Sequence, residues 1–476
     1  MERQSLWLGV FVILTTHSYF LKNDAKQMAR MTPYSPLSTL IATALLRDRG
    51  HAAAHFDSTF ADGIQAFASA LDHHRPTVVA IMEDNFNFLT KMCTVRRRED
   101  TIAMIEAAVT RGCRVLVNGP DSTDRPELYL SVGADAVLAG EGEATLLDIV
   151  DLWRLDSSAP LASVPGLVLA DAGGGVRRTP ARPQLHALDQ LPLPAWDVLD
   201  VDAYRRAWRA KHKRFSWNMA TSRGCPYGCN WCAKPTFGRG YAQRSPTAVA
   251  TEMRLVKDAI APDHFWFADD IFGLTTEWLR KFAAEVVRLA ARTPFTIQSR
   301  VNLMRPDAVR ALADAGAEEV WLGVESGSQR ILDAMDKGSC VAQAREATRH
   351  LKANGIRACW FIQLGYPGED WHDLDQTRSL IREERPDDIG ISVAYPLPGT
   401  RFHELVKAEI GERRNWQDSD DLAMLFQGTY DTTFYRLVRD MLHDEVRLRR
   451  HDDLRWARLG HDEATYRSPN PMVLAS

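Results

Sequence analysis

The sequence predicts an α/β protein: a doubly wound parallel sheet, then a partial (β/α)6 barrel, then a helical tail. Three observations carry this. Short apolar runs alternate with amphipathic stretches over the first 150 residues, and the same rhythm returns from Phe215. A glycine- and proline-bearing stretch without that rhythm separates the two series. Beyond Pro398-Gly399 the apolar runs give way to a charged helical pattern. Helices between consecutive strands cover both faces of a parallel sheet, and ligands then sit at the strands' carboxyl ends.

In the first series, Leu8–Thr15 reads as a strand, Pro36–Arg49 as a helix and Ala52–Asp57 as a second strand. The amphipathic Ile64–Leu71 precedes the strongly apolar Thr77–Met82. Asp100–Arg111 is helical in pattern. Arg114–Asn118 is a strand ending in Gly119-Pro120, and Ala136–Ala139 is the last strand before Gly140-Glu141-Gly142-Glu143. This series is assigned to residues 1–154, a Rossmann-like domain. The stretch 155–212, with Ala172-Gly173-Gly174-Gly175 and the prolines of Pro183–Pro194, reads as a linker with hairpins.

Six apolar strands follow: Phe215–Thr221, His264–Ala268, Thr296–Arg300, Val320–Val324, Ala358–Leu364 and Ile391–Tyr395. Pro246–Ala259, Thr276–Ala291, Pro306–Ala315 and Val341–Asn354 are helical between them. Six strand–helix units make a partial barrel over 213–405. Residues 406–476, notably Thr433–Leu454, read as a helical cap.

Composition narrows the function. The 476 residues hold 58 basic and 62 acidic side chains, a net charge of −4, and nucleic-acid binding by phosphate neutralisation would show the opposite excess. Apolar residues at 45% exclude a mainly disordered chain. The run Leu6–Leu14 resembles a short signal peptide but lacks a basic leader and a small-residue cleavage site, so it reads as a buried strand. No segment has the length of a membrane helix, and the expectation is a cytoplasmic protein.

The seven cysteines are no disulfide scaffold, because Cys225, Cys229 and Cys232 fall within eight residues. They lie in Thr221-Ser222-Arg223-Gly224-Cys225-Pro226-Tyr227-Gly228-Cys229-Asn230-Trp231-Cys232, directly after a barrel strand. Thiolates suit iron–sulfur clusters and zinc. A structural zinc wants four protein ligands, whereas three from one loop leave a cluster iron open for chemistry. A zinc knuckle completed by a distant residue is the alternative. Cys93, Cys113, Cys340 and Cys359 read as buried small hydrophobes.

The CxxxCxxC loop after the first strand of a six-unit barrel resembles the radical S-adenosylmethionine (SAM) superfamily. That resemblance implies a [4Fe–4S] cluster on Cys225, Cys229 and Cys232, whose free iron chelates SAM, and a 5′-deoxyadenosyl radical. It implies further SAM contacts at the carboxyl ends of successive strands. These are Trp231 near the adenine, Asp269 and Asp270 at the amino group, and Gln298, Arg300, Glu325 and Ser326 near the ribose and carboxylate. Gly365, in Gly365-Tyr366-Pro367-Gly368-Glu369, belongs to the adenine-supporting motif. Helix caps and structural ion pairs are the plain alternatives for the charged members. Arg239 and Arg244 fit either an anion site or a solvated face.

The domain before the barrel resembles the cobalamin-binding subgroup of that superfamily. The resemblance rests on Pro33-Tyr34-Ser35-Pro36-Leu37, Asn118-Gly119-Pro120 and Gly140-Glu141-Gly142-Glu143-Ala144-Thr145. It implies cobalamin contacts at Pro36, Asn85, Phe86, Asn118, Gly119, Gly140, Glu141 and Gly142. The subgroup's axial-histidine pattern DxHxxG is absent, and His73 and His74 fit no such loop. A domain that packs without cofactor is the alternative.

The resemblance runs along the whole chain and points to the group that holds the anaerobic magnesium-protoporphyrin monomethyl ester cyclases and the cobalamin-dependent radical SAM C-methyltransferases. The leading expectation is methylation of an unactivated carbon of a small-molecule precursor. Oxidative cyclisation, ring contraction or hydroxylation with the same cofactors is the second. An external electron donor such as flavodoxin or ferredoxin is implied, and no nucleic-acid partner. RNA-modifying methylthiotransferases share the cysteine loop but carry more N-terminal cysteines and a basic tail, which this chain lacks.

Overall fold

The computed structural model describes residues 11–232, 236–238 and 240–469. The chain forms two compact units. The first comprises the described residues up to Phe215, with 236–238 and Gln417–Ser419; the second takes the remainder from Ser216.

The first unit is built on seven strands: β1 (Val12–Thr16), β2 (Ala52–Phe56), β3 (Val78–Met82), β4 (Arg114–Asn118), β5 (Ala136–Leu138), β6 (Leu167–Ala170) and β7 (Val176–Arg178), in the order β2-β1-β3-β4-β5-β6-β7. β1 to β5 pair in parallel, while β6 and β7 add an antiparallel edge. Side chains alternate across the pleat, so each central strand feeds two cores. Val78, Ala80 and Met82 pack with Leu46, Ile149 and Trp153 on one face; Val79 and Ile81 pack with Phe67, Leu71 and Ile105 on the other. A strand buried on both sides must be apolar at every position, which is why β3 reads as one unbroken run.

Some boundaries depart from the pattern. Of Leu8–Thr15, residues 8–10 lie outside the described residues, and the strand runs to Thr16. The helix expected at Asp100 begins at Val95, because Arg97 and Arg98 turn inward to pair with Glu83 and Asp121 and so disguise its first turn as a charged loop. The stretch 155–212, read as a linker with hairpins, holds the antiparallel pair β6–β7 and also the helix Val201–His212, whose Tyr204 and Trp208 are buried while its other face is basic.

The second unit holds β8 (Ser216–Met219), β9 (Ser222–Arg223), β10 (Ala242–Gln243), β11 (His264–Phe267), β12 (Phe295–Arg300), β13 (Ala317–Glu325), β14 (Arg357–Leu364) and β15 (Asp388–Val393). Six of them form one all-parallel sheet in the order β15-β14-β13-β12-β11-β8, with β8 and β15 as its edges. This is the expected partial barrel. The helices Pro246–Ala259, Thr276–Arg288, Pro306–Ala315, Val341–Ala353 and Trp371–Glu384 alternate with the strands. Their starts are encoded locally: Ser245 accepts from Ala248 N at 3.2 Å with Pro246 in the first turn, and Asp370 makes a capping box with Asp373. On the helix side, Phe267, Phe272, Phe282 and Phe295 pack edge to face, and Trp278 stacks on Phe282.

The expected tail helix Thr433–Leu454 is two helices. Thr432–Leu448 stops at Arg449, in the left-handed region at φ 51°, and Asp453–Asp462 restarts with Asp452 as cap. No described helix is long and apolar enough to cross a membrane.

Candidate functional site

The cysteine loop hangs from the carboxyl end of β8 and is closed at its base. β9 pairs antiparallel with β10, Arg223 facing Ala242 and Ser222 facing Gln243, and Arg244 N donates to Thr221 O at 2.8 Å. Gly224 turns the chain into the loop at φ 78°, a conformation that a side chain would strain. Within the loop Cys229 is buried, and Cys225 and Cys232 are half-buried.

Asn230 pins the loop, a role its position between two cysteines did not reveal. Its backbone N and side-chain Nδ2 donate to the carbonyls of Met335 and Ala334 at 3.0 and 2.7 Å. Its side-chain oxygen accepts from the Tyr366 hydroxyl at 3.0 Å, and its carbonyl from Phe402 N at 3.0 Å. Trp231 packs against an apolar cluster of Ile331, Met335, Tyr366, Phe402 and Phe426. A zinc knuckle gathers its ligands in the shell of a single ion, and among the described residues no three His, Cys, Asp or Glu are so gathered. A cube held at three corners makes no such demand, since each sulfur meets a different iron.

The expected residues at the other strand ends divide sharply. Asp269 is 1% exposed and already saturated: it accepts from Thr221 N and Oγ1 at 3.0 and 2.8 Å, and from the Ser222 hydroxyl. It ties the base of the cysteine loop to β11, and burial pushes its carboxyl up to about 6. Asp270, its neighbour, is exposed. Gln298 is half-buried.

Arg300, at the end of β12, directs its fork at the loop: Nη1 lies 3.3 Å from Cys229 Sγ, Nε 3.2 Å from Asn302 Oδ1, and Nη2 donates to Lys337 O. Glu325 sits at φ 66° and forms a buried ion pair with Lys337 at 2.6 Å. Neither a helix cap nor an open carboxylate describes it. Lys337 was not legible in sequence because it stands twelve residues from its partner on an unremarkable turn. Gly323 lies against the tips of the pair: a Cβ there would meet Glu325 Oε1 and Lys337 Nζ at 2.8 Å.

Ser326 turns away from the barrel interior. Its hydroxyl accepts from Ser328 N at 3.1 Å and lies 3.3 Å from Thr377 Oγ1 on the helix Trp371–Glu384. Gly365, at φ 75°, donates its N–H to Glu369 Oε2 at 2.6 Å. Glu369 is fully buried, and desolvation pushes its carboxyl up to about 8. Arg244 is no anion receptor: it pairs with buried Glu252 and donates to Ala220 O at 3.3 Å. Arg239 lies outside the described residues.

What remains unmet is informative. Trp231 Nε1, Gln363 Oε1 and Glu369 Oε1 are buried without a hydrogen-bond partner. Gln363 shares a face of β14 with Phe361, which stacks on Trp321, while Trp360 on the opposite face donates to helical Thr348. Gln363 therefore points into the barrel interior. A buried carboxamide oxygen without a donor costs about 1–3 kcal/mol. Such groups fit a polar ligand.

In the first unit the expected residues meet at the carboxyl ends of β3, β4 and β5. Asn85 Nδ2 donates to Asn118 Oδ1 at 2.9 Å, and Asn118 Nδ2 to the carbonyls of Leu138 and Gly140 at 2.8 and 3.0 Å. Asn85 N donates to Ser38 Oγ at 3.0 Å, which brings in the turn at Pro36. Gly142 lies so close to Asn118 that a Cβ would sit 2.7 Å from its Cγ, and one on Gly119 would sit 2.9 Å from Glu83 Cγ. Glu141 Oε2 accepts from Leu185 N at 3.2 Å.

Residues 236–238 complete this edge, unforeseen in sequence: Thr236 Oγ1 donates to Asn85 Oδ1 at 3.0 Å, and Phe237 lies 5.1 Å from Phe86. His17, just after β1, is 2% exposed, with Nε2 3.0 Å from Asp57 and Nδ1 3.1 Å from Ser58 Oγ. Both its nitrogens are occupied, so as placed it offers no metal a ligand. Gly119 and Gly142 are packed against Glu83, Asn118 and Met82 and the carboxamides are bonded within the protein, which makes this edge a rigid rim at the strands' carboxyl ends, where sheets of this kind take their ligands.

Residues 219–381, about a third of the chain, match the model of the Radical SAM superfamily. An uncharacterized methyltransferase of Pyrococcus horikoshii is 30% identical over 307 residues, 64% of this chain and 65% of the relative. The anaerobic magnesium-protoporphyrin IX monomethyl ester cyclase of Rubrivivax gelatinosus is 29% identical over 285 residues, 59% of this chain and 49% of the relative. The chain thus spans about half to two thirds of these relatives. The fold is shared with a radical SAM methyltransferase of Kitasatospora setae solved with cobalamin and a [4Fe–4S] cluster, at TM-score 0.69 and 18% identity over 85% of this chain and 76% of that one.

Proposed function

We propose that this chain, a radical SAM protein by its barrel, is a cobalamin-dependent C-methyltransferase acting on an unactivated carbon of a small molecule. The observation that carries the reading is the pinned three-cysteine loop in a barrel that keeps Trp231 Nε1, Gln363 Oε1 and Glu369 Oε1 buried and unpaired. Cys225, Cys229 and Cys232 would hold the [4Fe–4S] cluster, and the domain read over residues 1–154, part of the first unit, the cobalamin. With these bound, reductive cleavage of SAM supplies a 5′-deoxyadenosyl radical and methylcobalamin supplies the methyl group.

The protein's part is placement and exclusion of water. Trp231, Gln363, Gly365 and Glu369 would take the adenosyl portion, and Asp270, Gln298 and the Glu325–Lys337 pair its polar remainder. Asp269 and Ser326 act one step back, as ties that hold the strand ends. Asn85, Phe86, Asn118, Gly119, Gly140, Glu141 and Gly142, with the turn at Pro36, would form the cobalamin edge. A low-potential electron donor of flavodoxin or ferredoxin type, in a reducing cytoplasm, belongs to the same reading.

The test needs no substrate. Reconstituted protein is incubated anaerobically with SAM, hydroxocobalamin and a reductant. Methylcobalamin and S-adenosylhomocysteine in equal amounts, with 5′-deoxyadenosine as a second product, support methyl transfer. Deoxyadenosine alone supports the second reading, oxidative cyclisation, ring contraction or hydroxylation, which the cyclase relatives favour.

A further inference from the structure

Arg300 was expected among the SAM contacts, yet the structure uses every nitrogen of its guanidinium on the protein. Nε is 3.2 Å from Asn302 Oδ1, Nη2 donates to Lys337 O, and Nη1 is 3.3 Å from Cys229 Sγ. The side chain is 6% exposed, and the centre of its fork lies 3.9 Å from the ring centroid of Tyr227. Tyr227 and Cys229 flank Gly228, so one residue from β12 grips the cysteine loop at two points. Among the described residues no carboxylate pairs with Arg300. The nearby Lys337 is different, because Glu325 neutralises it at 2.6 Å. Arg300 therefore brings an uncompensated, always-ionised cation and an N–H donor to a single cysteine sulfur.

We propose that Arg300 is a positioning residue that raises the reduction potential of the cluster through its hydrogen bond to Cys229, and is not a ligand of SAM. This rests on the reading of the three cysteines as cluster ligands. Reduction adds one electron and one negative charge to the cluster, delivered by an external donor. Hydrogen bonds and positive charge at a ligating sulfur stabilise the reduced form more than the oxidised one. The planar fork matters as well as the charge: stacking on Tyr227 and the bond to Asn302 hold Nη1 on the sulfur, a geometry that the flexible ammonium of lysine cannot reproduce.

The experiment is a redox titration without SAM. Wild-type protein and the Arg300→Met, Arg300→Lys and Asn302→Ala variants are reconstituted anaerobically, iron per chain is counted, and the cluster is titrated with dithionite and mediators, followed by electron paramagnetic resonance. Poised at the wild-type midpoint, Arg300→Met is expected to show a reduced-to-oxidised ratio about tenfold lower, ~59 mV for a one-electron couple. Arg300→Lys and Asn302→Ala should fall between it and wild type. SAM affinity, measured by equilibrium dialysis, should stay within about twofold.

An unchanged midpoint in Arg300→Met with SAM affinity weakened more than about tenfold makes the arginine a SAM ligand and overturns the proposal. If Arg300→Met retains no iron, the other two variants decide, and midpoints equal to wild type in both overturn it. A wild-type protein that takes up zinc and no iron overturns instead the cluster reading beneath it.

Discussion

The two units build their candidate sites in the same place and finish them in opposite ways. Each sets glycine-bearing turns at the carboxyl ends of parallel strands. In the first unit the two carboxamides at that edge are spent on the protein: Asn85 bonds Asn118, Asn118 bonds the carbonyls of Leu138 and Gly140, and Thr236 takes the oxygen of Asn85. In the barrel the frame is equally tight around Asn230, Asp269 and Arg300, but Trp231 Nε1, Gln363 Oε1 and Glu369 Oε1 stay buried and unpaired. The contrast separates two strategies. One edge spends its carboxamides on the protein's own backbone; the other leaves buried hydrogen-bonding capacity unmet.

The sharpest test removes the barrel site's chemistry. Cys229→Ala should lose its iron and form no 5′-deoxyadenosine above background, read by iron assay and chromatography. Retention of that product contradicts the cluster assignment.

Next in size is the frame beneath it. Lys337→Met leaves Glu325 buried and unpaired, and its unfolding free energy in urea should fall by about 3–5 kcal/mol. Adding Glu325→Gln should recover most of the loss, because the cost lies in the stranded charge.

The self-satisfied edge of the first unit is probed by Gly142→Ala. The new Cβ would sit 2.7 Å from Asn118 and 2.9 Å from Met82, so stability should drop by about 1–3 kcal/mol and cobalamin retention on gel filtration should fall. Gly175→Ala, with open space around it, is the matched control and should change neither.

The smallest effect is a titration. The Glu369 carboxyl titrates near 8 in the folded protein against an ordinary value of 4.5, so the folded state holds a proton that the unfolded state has lost. That contribution to stability is complete below about pH 4.5 and is lost as pH rises towards 8. Wild type should therefore lose on the order of 1 kcal/mol more than Glu369→Gln between pH 6 and pH 7, measured as paired urea midpoints. Parallel pH curves for the two proteins would show that Glu369 is ionised in the fold, and would erase one of the three unmet groups on which the contrast depends.

Much of this was legible from residues in a row. β4 and the helices Pro246–Ala259 and Pro306–Ala315 fall where periodicity, Pro at the helix start and strand-ending glycine put them. Long apolar runs, helix starts and the cysteine spacing are local, and local signals survive in a linear string. The apolar Leu167–Ala170 and the glycine turn after it mark the hairpin locally, whereas the first turn of the helix at Val95 was obscured because Arg97 and Arg98 are drawn in by partners elsewhere in the chain, such as Asp121 for Arg98. The same reason governs the site. Sequence alone settled which loop carries the thiolates and which strand ends surround it. Only the tertiary structure decided that Asp269 is spent on Thr221 and Ser222, that Lys337 meets Glu325, and that Arg300 points at Cys229. A hydrogen bond is specified by where two groups end up in space, and residues 71 positions apart carry no mark of their meeting until the sheet brings them within 3.3 Å.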